Sequence, residues 1–460
     1  MSTGHFPPAQ QQAFSPATFR THPQQTIRKV GAPLAVMIVA GLLIVGLLGV
    51  AVFSGPVPFL IALVPVAVMI CAALFAYLWL DRWEPEPPRL LIFGFLWGAG
   101  IAGGLSFVLN TVTGMFVWPN EFWAAAVGAP LFEELTKGAF LLLMMTGMRR
   151  RQMTSLVDCL VYAGMVGLGF AWVEDMIYFA GSESLAMTVL LFVMRMVMAV
   201  FAHPLFTSMT AIGIYLSMRQ RNKGAKVGLI VAGFAVAMLA HGLWNGSTAV
   251  MDGLGFFVLY FLILVPLFAG MVWLAIWSRR NEGRQVRNQL VGMVQEGLID
   301  HHEALWLATL PRRRERRKLA AKHGSAGDLR KLQQFSDAVT ELAFIRTRLG
   351  RGEVTPQREA DHAELVQAVR HYRAEALPVL STLHKIAPVG GNVPPPPPPS
   401  APQQRPMPPQ QQQQPHAPQQ PHAPQQPPAP QQAPMPQQQP MPQQPPMPSQ
   451  QPYGGPNPQW

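Results

Sequence analysis

Residues 122–147 read FWAAAVGAPLFEELTKGAFLLLMMTG, an apolar run with Glu133, Glu134 and Lys137 near its middle. A run of this length covers the ~30 Å hydrocarbon core of a bilayer as a helix. A charge at that depth costs at least ~2.5–3.5 kcal/mol on insertion scales, so such residues face a bundle interior and mark functional sites. With 3.6 residues per turn, Lys137 reaches Glu133 from position i+4 and Glu134 from i+3. An internal ion pair that pins helix packing accounts for part of this pattern, yet one lysine does not neutralise two carboxylates.

The apolar pattern repeats on both sides of this run. Stretches near 31–53, 57–80, 90–114, 155–180, 186–217, 227–250 and 255–278 bring the total to about eight crossings, and no soluble core explains so many. The basic residues alternate cleanly with them. Arg28 and Lys29, Arg82 and Arg89, Arg149 to Arg151, Arg219 to Lys226, and Arg279 with Arg280 fall on one side, whereas the loops near Ser54, Trp118, Ser182 and Asp252 hold no Lys or Arg. Lys and Arg concentrate in cytoplasmic loops, so both termini are expected in the cytoplasm of a multi-pass protein of the cell membrane.

The averages of 49% hydrophobic and 13% charged residues, with a net charge of +11, therefore mix two regions. The expected class is all-α: a polytopic membrane bundle at 31–278, a small cytoplasmic helical module at 279–387, and a disordered Pro/Gln-rich tail at 388–460. Residues 1–30 are polar and Pro/Gln-rich, without the layout of a signal peptide. Helical periodicity in the module predicts an antiparallel pair around 328–349 and 356–377, parted by Gly350 and Gly352. Its basic cluster from Arg312 to Lys318 suits either a solvated helix face or anionic lipid headgroups, nucleic acid being the weaker candidate. The tail, with six prolines at Pro394 to Pro399, favours polyproline II and proline-recognition partners. Cys71 and Cys159, the only cysteines, lie in separate apolar runs and show no zinc-ribbon spacing.

Three more spans carry polar groups. Glu174 and Asp175 follow Phe170-Ala-Trp-Val on the fifth; Glu174 must find a partner or a proton, Asp175 is expected near the outer interface, and Phe170 reads as packing. On the sixth come Arg195, expected as counter-ion to the acids, and His203-Pro204, where the proline predicts a kink. His241 and Asn245 on the seventh share a face at i,i+4. Taken singly, each histidine motif reads as well as a packing residue or a polar clasp between helices. Together, the three glutamates outnumber Lys137, and the excess charge calls either for shared protons or for a divalent metal held by carboxylate and imidazole. Such groups are the parts that activate water against a peptide carbonyl. Glu133 or Glu134 would act as base, Glu174 and His203 would orient water or metal, and His241 with Asn245 would stabilise the oxyanion or complete the ligand set. The His302-Glu303 pair lacks the second histidine of a zincin helix.

At this point the sequence resembles the PrsW-type intramembrane proteases, relatives of the type II CAAX prenyl endopeptidases. The matching segments are Asp81-Arg-Trp-Glu-Pro-Glu-Pro87, Glu133-Glu-Leu-Thr-Lys137, Asp158-Cys-Leu-Val-Tyr162 leading to Gly167-Leu-Gly-Phe-Ala-Trp-Val-Glu174, His203-Pro-Leu-Phe-Thr207 and His241-Gly-Leu-Trp-Asn245. They fall in order over about residues 75–275. The resemblance implies a peptidase of membrane-anchored single-span substrates, an anti-sigma factor in some relatives. It implies Glu133, Glu134, Lys137, Glu174, His203, His241 and Asn245 as site residues, and either zinc on Glu134, Glu174, His203 and His241 or a metal-free glutamate mechanism. Asp175 departs from the Asn that relatives often carry. A proton-coupled transporter or a catalytically dead scaffold would use similar residues, but no inverted repeat is evident and the polar groups form a few isolated motifs.

Overall fold

The computed structural model describes residues 33–248 and 254–387; the predicted N-terminal arm, the loop at Asp252 and the Pro/Gln tail lie outside the described residues. Those residues form helices and no strand. Eight helices occupy the apolar runs: α1 (Leu34–Ser54), α2 (Pro56–Leu80), α3 (Pro88–Phe116), α4 (121–144), α5 (Leu156–Ala180), α6 (Leu185–Met218), α7 (Lys223–Ser247) and α8 (Leu254–Gln295). Seven are long and apolar enough to cross a membrane by length and composition. The remaining one, α4, is continuous from a short α-turn through a π-turn into Ala129–Met144, and its ionisable triplet is what lowers its apolarity.

The core is built around α5. Its sequence is apolar on every face, which suits a helix buried all round, and 94% of its most apolar window is buried. A capping box starts it: Ser155 Oγ accepts from the Asp158 amide at 3.1 Å, and the Asp158 carboxylate accepts from the Ser155 amide at 2.8 Å. Helices α1, α2, α3 and α6 pack on it. Small residues permit this closeness, because association within lipid relies on backbone approach. A Cβ on Gly167 would fall 2.5 Å from the Pro204 nitrogen, so α6 meets α5 directly at the His203-Pro204 step.

The predicted kink in α6 is a full interruption. A π-helical stretch, Phe192–Met198, ends in non-helical Ala199, Val200 and Phe201, and the helix resumes at Ala202. Pro204 has no N–H to offer the Val200 carbonyl, which prevents continuation.

Helix α8 runs past the expected boundary at 278 to Gln295, so one uninterrupted helix joins the membrane bundle to the C-terminal helical module. There it packs with α9 (His301–Leu307), α10 (Leu310–His323), α11 (Ala326–Gly350) and α12 (Pro356–Ile386). The predicted antiparallel pair is α11 and α12, turned at Gly352 with φ 80°. The module's core includes Leu290, Phe335 and Leu365, and also Trp83 from the loop between α2 and α3. The basic cluster is divided. Arg313 is buried, donates to the Leu307 carbonyl and Thr340 Oγ1, and lies 4.9 Å over the Trp83 ring, while Arg316 donates to the carbonyls of Leu383 and Ala387 at the end of α12. Glu303 serves the α9 capping box and takes Arg373 Nε at 2.8 Å, a structural use.

Candidate active site

Helices α4, α5, α6 and α7 bring their ionisable residues to one place. Lys137 lies at its centre. Its ammonium is 3.3 Å from Glu133 Oε2, 3.0 Å from Glu134 Oε1 and 2.9 Å from His203 Nδ1, and it stands 3.7 Å from the Phe170 ring centroid. Both expected i,i+3 and i,i+4 pairs on α4 are thus formed. Phe170 does more than fill space, since its face completes the cation's surroundings.

Two carboxylate–imidazole pairs flank the lysine. An ammonium donating to His203 Nδ1 leaves the ring proton on Nε2, which donates to Glu174 Oε2 at 2.8 Å. On the other side His241 Nδ1 meets Glu134 Oε1 at 3.1 Å, and its Nε2 lies 3.7 Å from Glu133 Oε2. The imidazoles are nearly perpendicular, with centroids 5.2 Å apart. Phe206 stacks on His241 at 4.8 Å and holds that ring's plane.

The three glutamates differ in what they can do. Glu134 is fully buried and engaged by Lys137, His241 and the Thr207 hydroxyl, which donates to its Oε2 at 3.3 Å. Glu133 keeps 7% of its side chain exposed and Glu174 keeps 18%, the largest share of the three. Arg195 bridges Glu174 and Asp175 and lies 4.0 Å over the Tyr178 ring. Asp175, expected at the outer interface, is buried and belongs to this clamp. Asn245 is not drawn into the network: its Nδ2 donates to the Ala125 carbonyl at 3.0 Å and ties α7 to the π-turn of α4.

Four carboxylates, Glu133, Glu134, Glu174 and Asp175, face two permanent cations, Lys137 and Arg195. Two negative charges remain for the histidines or a metal to meet. Glu133, His203 and His241 each offer one ligand atom, all within 4.8 Å of one another. One carboxylate and two imidazoles is a ligand set of catalytic zinc sites, and Glu134 and Glu174 stand behind the imidazoles as the carboxylates that orient such ligands. The chain's own ammonium, in contact with two of the three donors, marks the place as one that attracts a cation. The residues therefore fit a divalent metal. The grouping differs from the expected quartet by drawing in Glu133 and leaving Glu134 and Glu174 as supports.

The Glu-Pro loop after α2 contacts α5 near its N-terminal end. Tyr162 donates to Glu86 Oε2 at 2.7 Å, and Asp81 accepts from the Glu86 amide at 2.8 Å. Burial pushes the Asp81 carboxyl up to about 8 and that of Glu84 up to about 7. This loop positions helices and stands apart from the histidine cluster.

Residues 86–271 match a family described as PrsW family intramembrane metalloprotease. The chain is 26% identical over 213 residues to a protein named Protease PrsW from Oceanobacillus iheyensis, covering 92% of that relative and 46% of this chain. It is 28% identical over 196 residues to a Protease PrsW from Clostridioides difficile, covering 77% of that relative and 41% of this chain. No solved structure matches. The matched stretch holds every residue of the cluster, and the C-terminal helical module lies beyond it.

Proposed function

We propose that the chain, whose residues 86–271 match the PrsW family of intramembrane metalloproteases, hydrolyses peptide bonds of single-span proteins in the cell membrane, with both its termini in the cytoplasm. The observation that carries this reading is the convergence of Glu133, Glu174, His203 and His241 around Lys137 at the junction of four helices. Ion pathways need polar groups strung across the bilayer, whereas these converge on one point.

Glu133, His241 and, through Nδ1 once the Lys137 ammonium withdraws from it, His203 would hold a zinc ion. When bound it would polarise the scissile carbonyl and acidify water. Glu174 takes the proton of the attacking water through Oε1, the oxygen that neither His203 nor Arg195 engages, and passes it to the leaving amine. Glu134 keeps His241 in one orientation through Nδ1, and Arg195 holds Glu174 in place. Lys137 supplies fixed positive charge against the developing oxyanion. The close contact of Lys137 with His203 and both carboxylates of α4 favours a second reading, in which the same residues work without metal and the ammonium takes over the charge.

Membranes from cells expressing wild type, Glu133→Ala, Glu174→Gln and His241→Ala forms test the peptidase reading through single-span proteins that accumulate uncut in the variants. Metal analysis of the purified wild type separates the two readings, with about one zinc per chain expected. An undiminished set of cleavage products in all three variants would sink the proposal. Anti-sigma factors are the first substrates to examine, as the resemblance to this family implies.

A further inference from the structure

An apolar cavity of 110 Å³ lies beside the interruption in α6, walled by Val197, Met198, Phe201, Leu205, Phe206 and, across from them, Leu264 with its neighbours on α8. Phe206 is shared between this cavity and the site, since its other contact is the stacked His241 ring. His203 follows the interruption directly.

The interruption makes the cavity more than a packing fault. Among the described residues the amides of Val200 and Phe201 donate no backbone hydrogen bond, and Tyr260 Oη donates to the Met198 carbonyl at 3.2 Å. Residues 199–201 are half-buried. Irregular backbone at membrane depth persists only where protein or water covers it. A transmembrane substrate has the complementary need. Its scissile bond is shielded while helical, and unwinding frees N–H and C=O groups that must be paired again in the bilayer.

We propose that the α6 interruption and its cavity form the substrate subsite next to the scissile bond: the free amides of Val200 and Phe201 pair with the unwound substrate backbone, and the cavity takes one aliphatic side chain of Leu, Ile, Val or Met size. This rests on the peptidase reading above. The size follows from volume, since an apolar cavity of ~150 Å³ accommodates a benzene ring and this one is smaller. Continuity with His203 through the interruption, and with His241 through Phe206, favours a substrate segment over a lipid chain as the occupant.

The test is to sequence the new ends of membrane-protein fragments in cells expressing the full chain. Fragments counted are those absent from a Glu133→Ala, Glu174→Gln double variant. Wild type should cut next to aliphatic residues. Leu264→Phe and Val197→Phe, which narrow the cavity at its floor and its mouth, should shift the preference toward Ala, Gly and Ser by on the order of tenfold, as a change of a methylene or more does in apolar pockets. Leu264→Ala should admit Phe. Cleavage that persists with unchanged flanking residues in all three variants overturns the subsite and leaves the peptidase reading intact; it is also the result expected if lipid alone fills the cavity. Loss of all cleavage in all three also overturns it, because a specificity pocket changes which bonds are cut. A wild type that yields no fragments beyond the double variant defeats the peptidase reading, and the subsite falls with it.

Discussion

Lys137 and His203, on different helices, meet at 2.9 Å, ammonium to Nδ1, and this contact orders the rest of the site. It fixes the imidazole proton on Nε2, aims it at Glu174, and leaves the ammonium shared with Glu133 and Glu134.

Lys137→Met should destabilise the protein by about 3–5 kcal/mol, the usual consequence of stranding buried charge. A Lys137→Met, Glu134→Gln double variant should recover part of that loss. Because the substitution also frees His203 Nδ1 and Glu133, zinc should raise the melting temperature of Lys137→Met, by as much as ~2.7 kcal/mol of stability at a hundredfold excess over the dissociation constant. Thermal unfolding in detergent with and without zinc reads both effects, and a zinc-insensitive variant would count against the metal site.

Arg195 grips Glu174 and Asp175 at once with its planar fork. Arg195→Met should lower peptidase activity by roughly 10–100-fold, as removal of a partner that orients a site residue does. Arg195→Lys should not restore it, since a lysine cannot reproduce the two-pronged geometry. Activity in proteoliposomes equal to wild type for either variant would remove Arg195 from the mechanism.

Gly167→Leu should abolish activity while the protein still inserts. A Cβ there meets the Pro204 backbone at 2.5 Å, so α6 must move and His203 moves with it. Gly167→Ala should cost about 1–3 kcal/mol, the range for overpacking a filled interior. A fully stable Gly167→Leu form that retained activity would contradict the α5–α6 contact.

Stability should fall as pH rises from about 4 to about 8, in part through Asp81. Its folded carboxyl titrates near 8 because burial disfavours the charge, above its ordinary value of 3.8. Between those values the folded state holds the extra proton, so its contribution is complete below the lower value and is lost as pH rises through the upper. Asp81→Asn keeps an acceptor for the Glu86 amide and should flatten this slope in a melting-temperature series, whereas an unchanged slope would assign the dependence to other groups.

Trp83→Ala should loosen the C-terminal helical module from the membrane bundle. The indole is buried in the module's core and packs against Gly283 and Arg313, and removing such a ring costs about 3–5 kcal/mol. Faster limited proteolysis within 296–387 is the expected readout, and unchanged proteolysis would show that α8 alone holds the module.

The helices were legible because a bilayer accepts only long apolar runs, and charge within them is costly enough to announce itself. On those grounds Glu133, Glu134, Glu174, His203 and His241 stand out before any fold is known. Phe170, Thr207 and Tyr178 do not, since a phenylalanine, threonine or tyrosine in a membrane helix carries no comparable penalty. Asp175 and Arg195 were visible as charges, but not as a pair, because their helices meet only through tertiary packing. Asn245 shares a helical face with His241 and still bonds elsewhere, a reminder that i,i+4 spacing selects a face and no partner.

The sequence by itself determined the membrane class, the apolar helices and the set of polar groups obliged to turn inward, because each follows from local hydropathy and the cost of burying charge. Only the tertiary structure decided which of those groups touch. Glu134 pairs with His241 and Glu174 with His203, while Glu133 sets its carboxylate beside both imidazoles; α6 breaks where Pro204 meets Gly167; and Trp83 leaves the membrane bundle for the core of the module. These outcomes depend on how closely backbones approach and how helices rotate about their axes, quantities set by all the packed side chains together and by no single stretch of sequence.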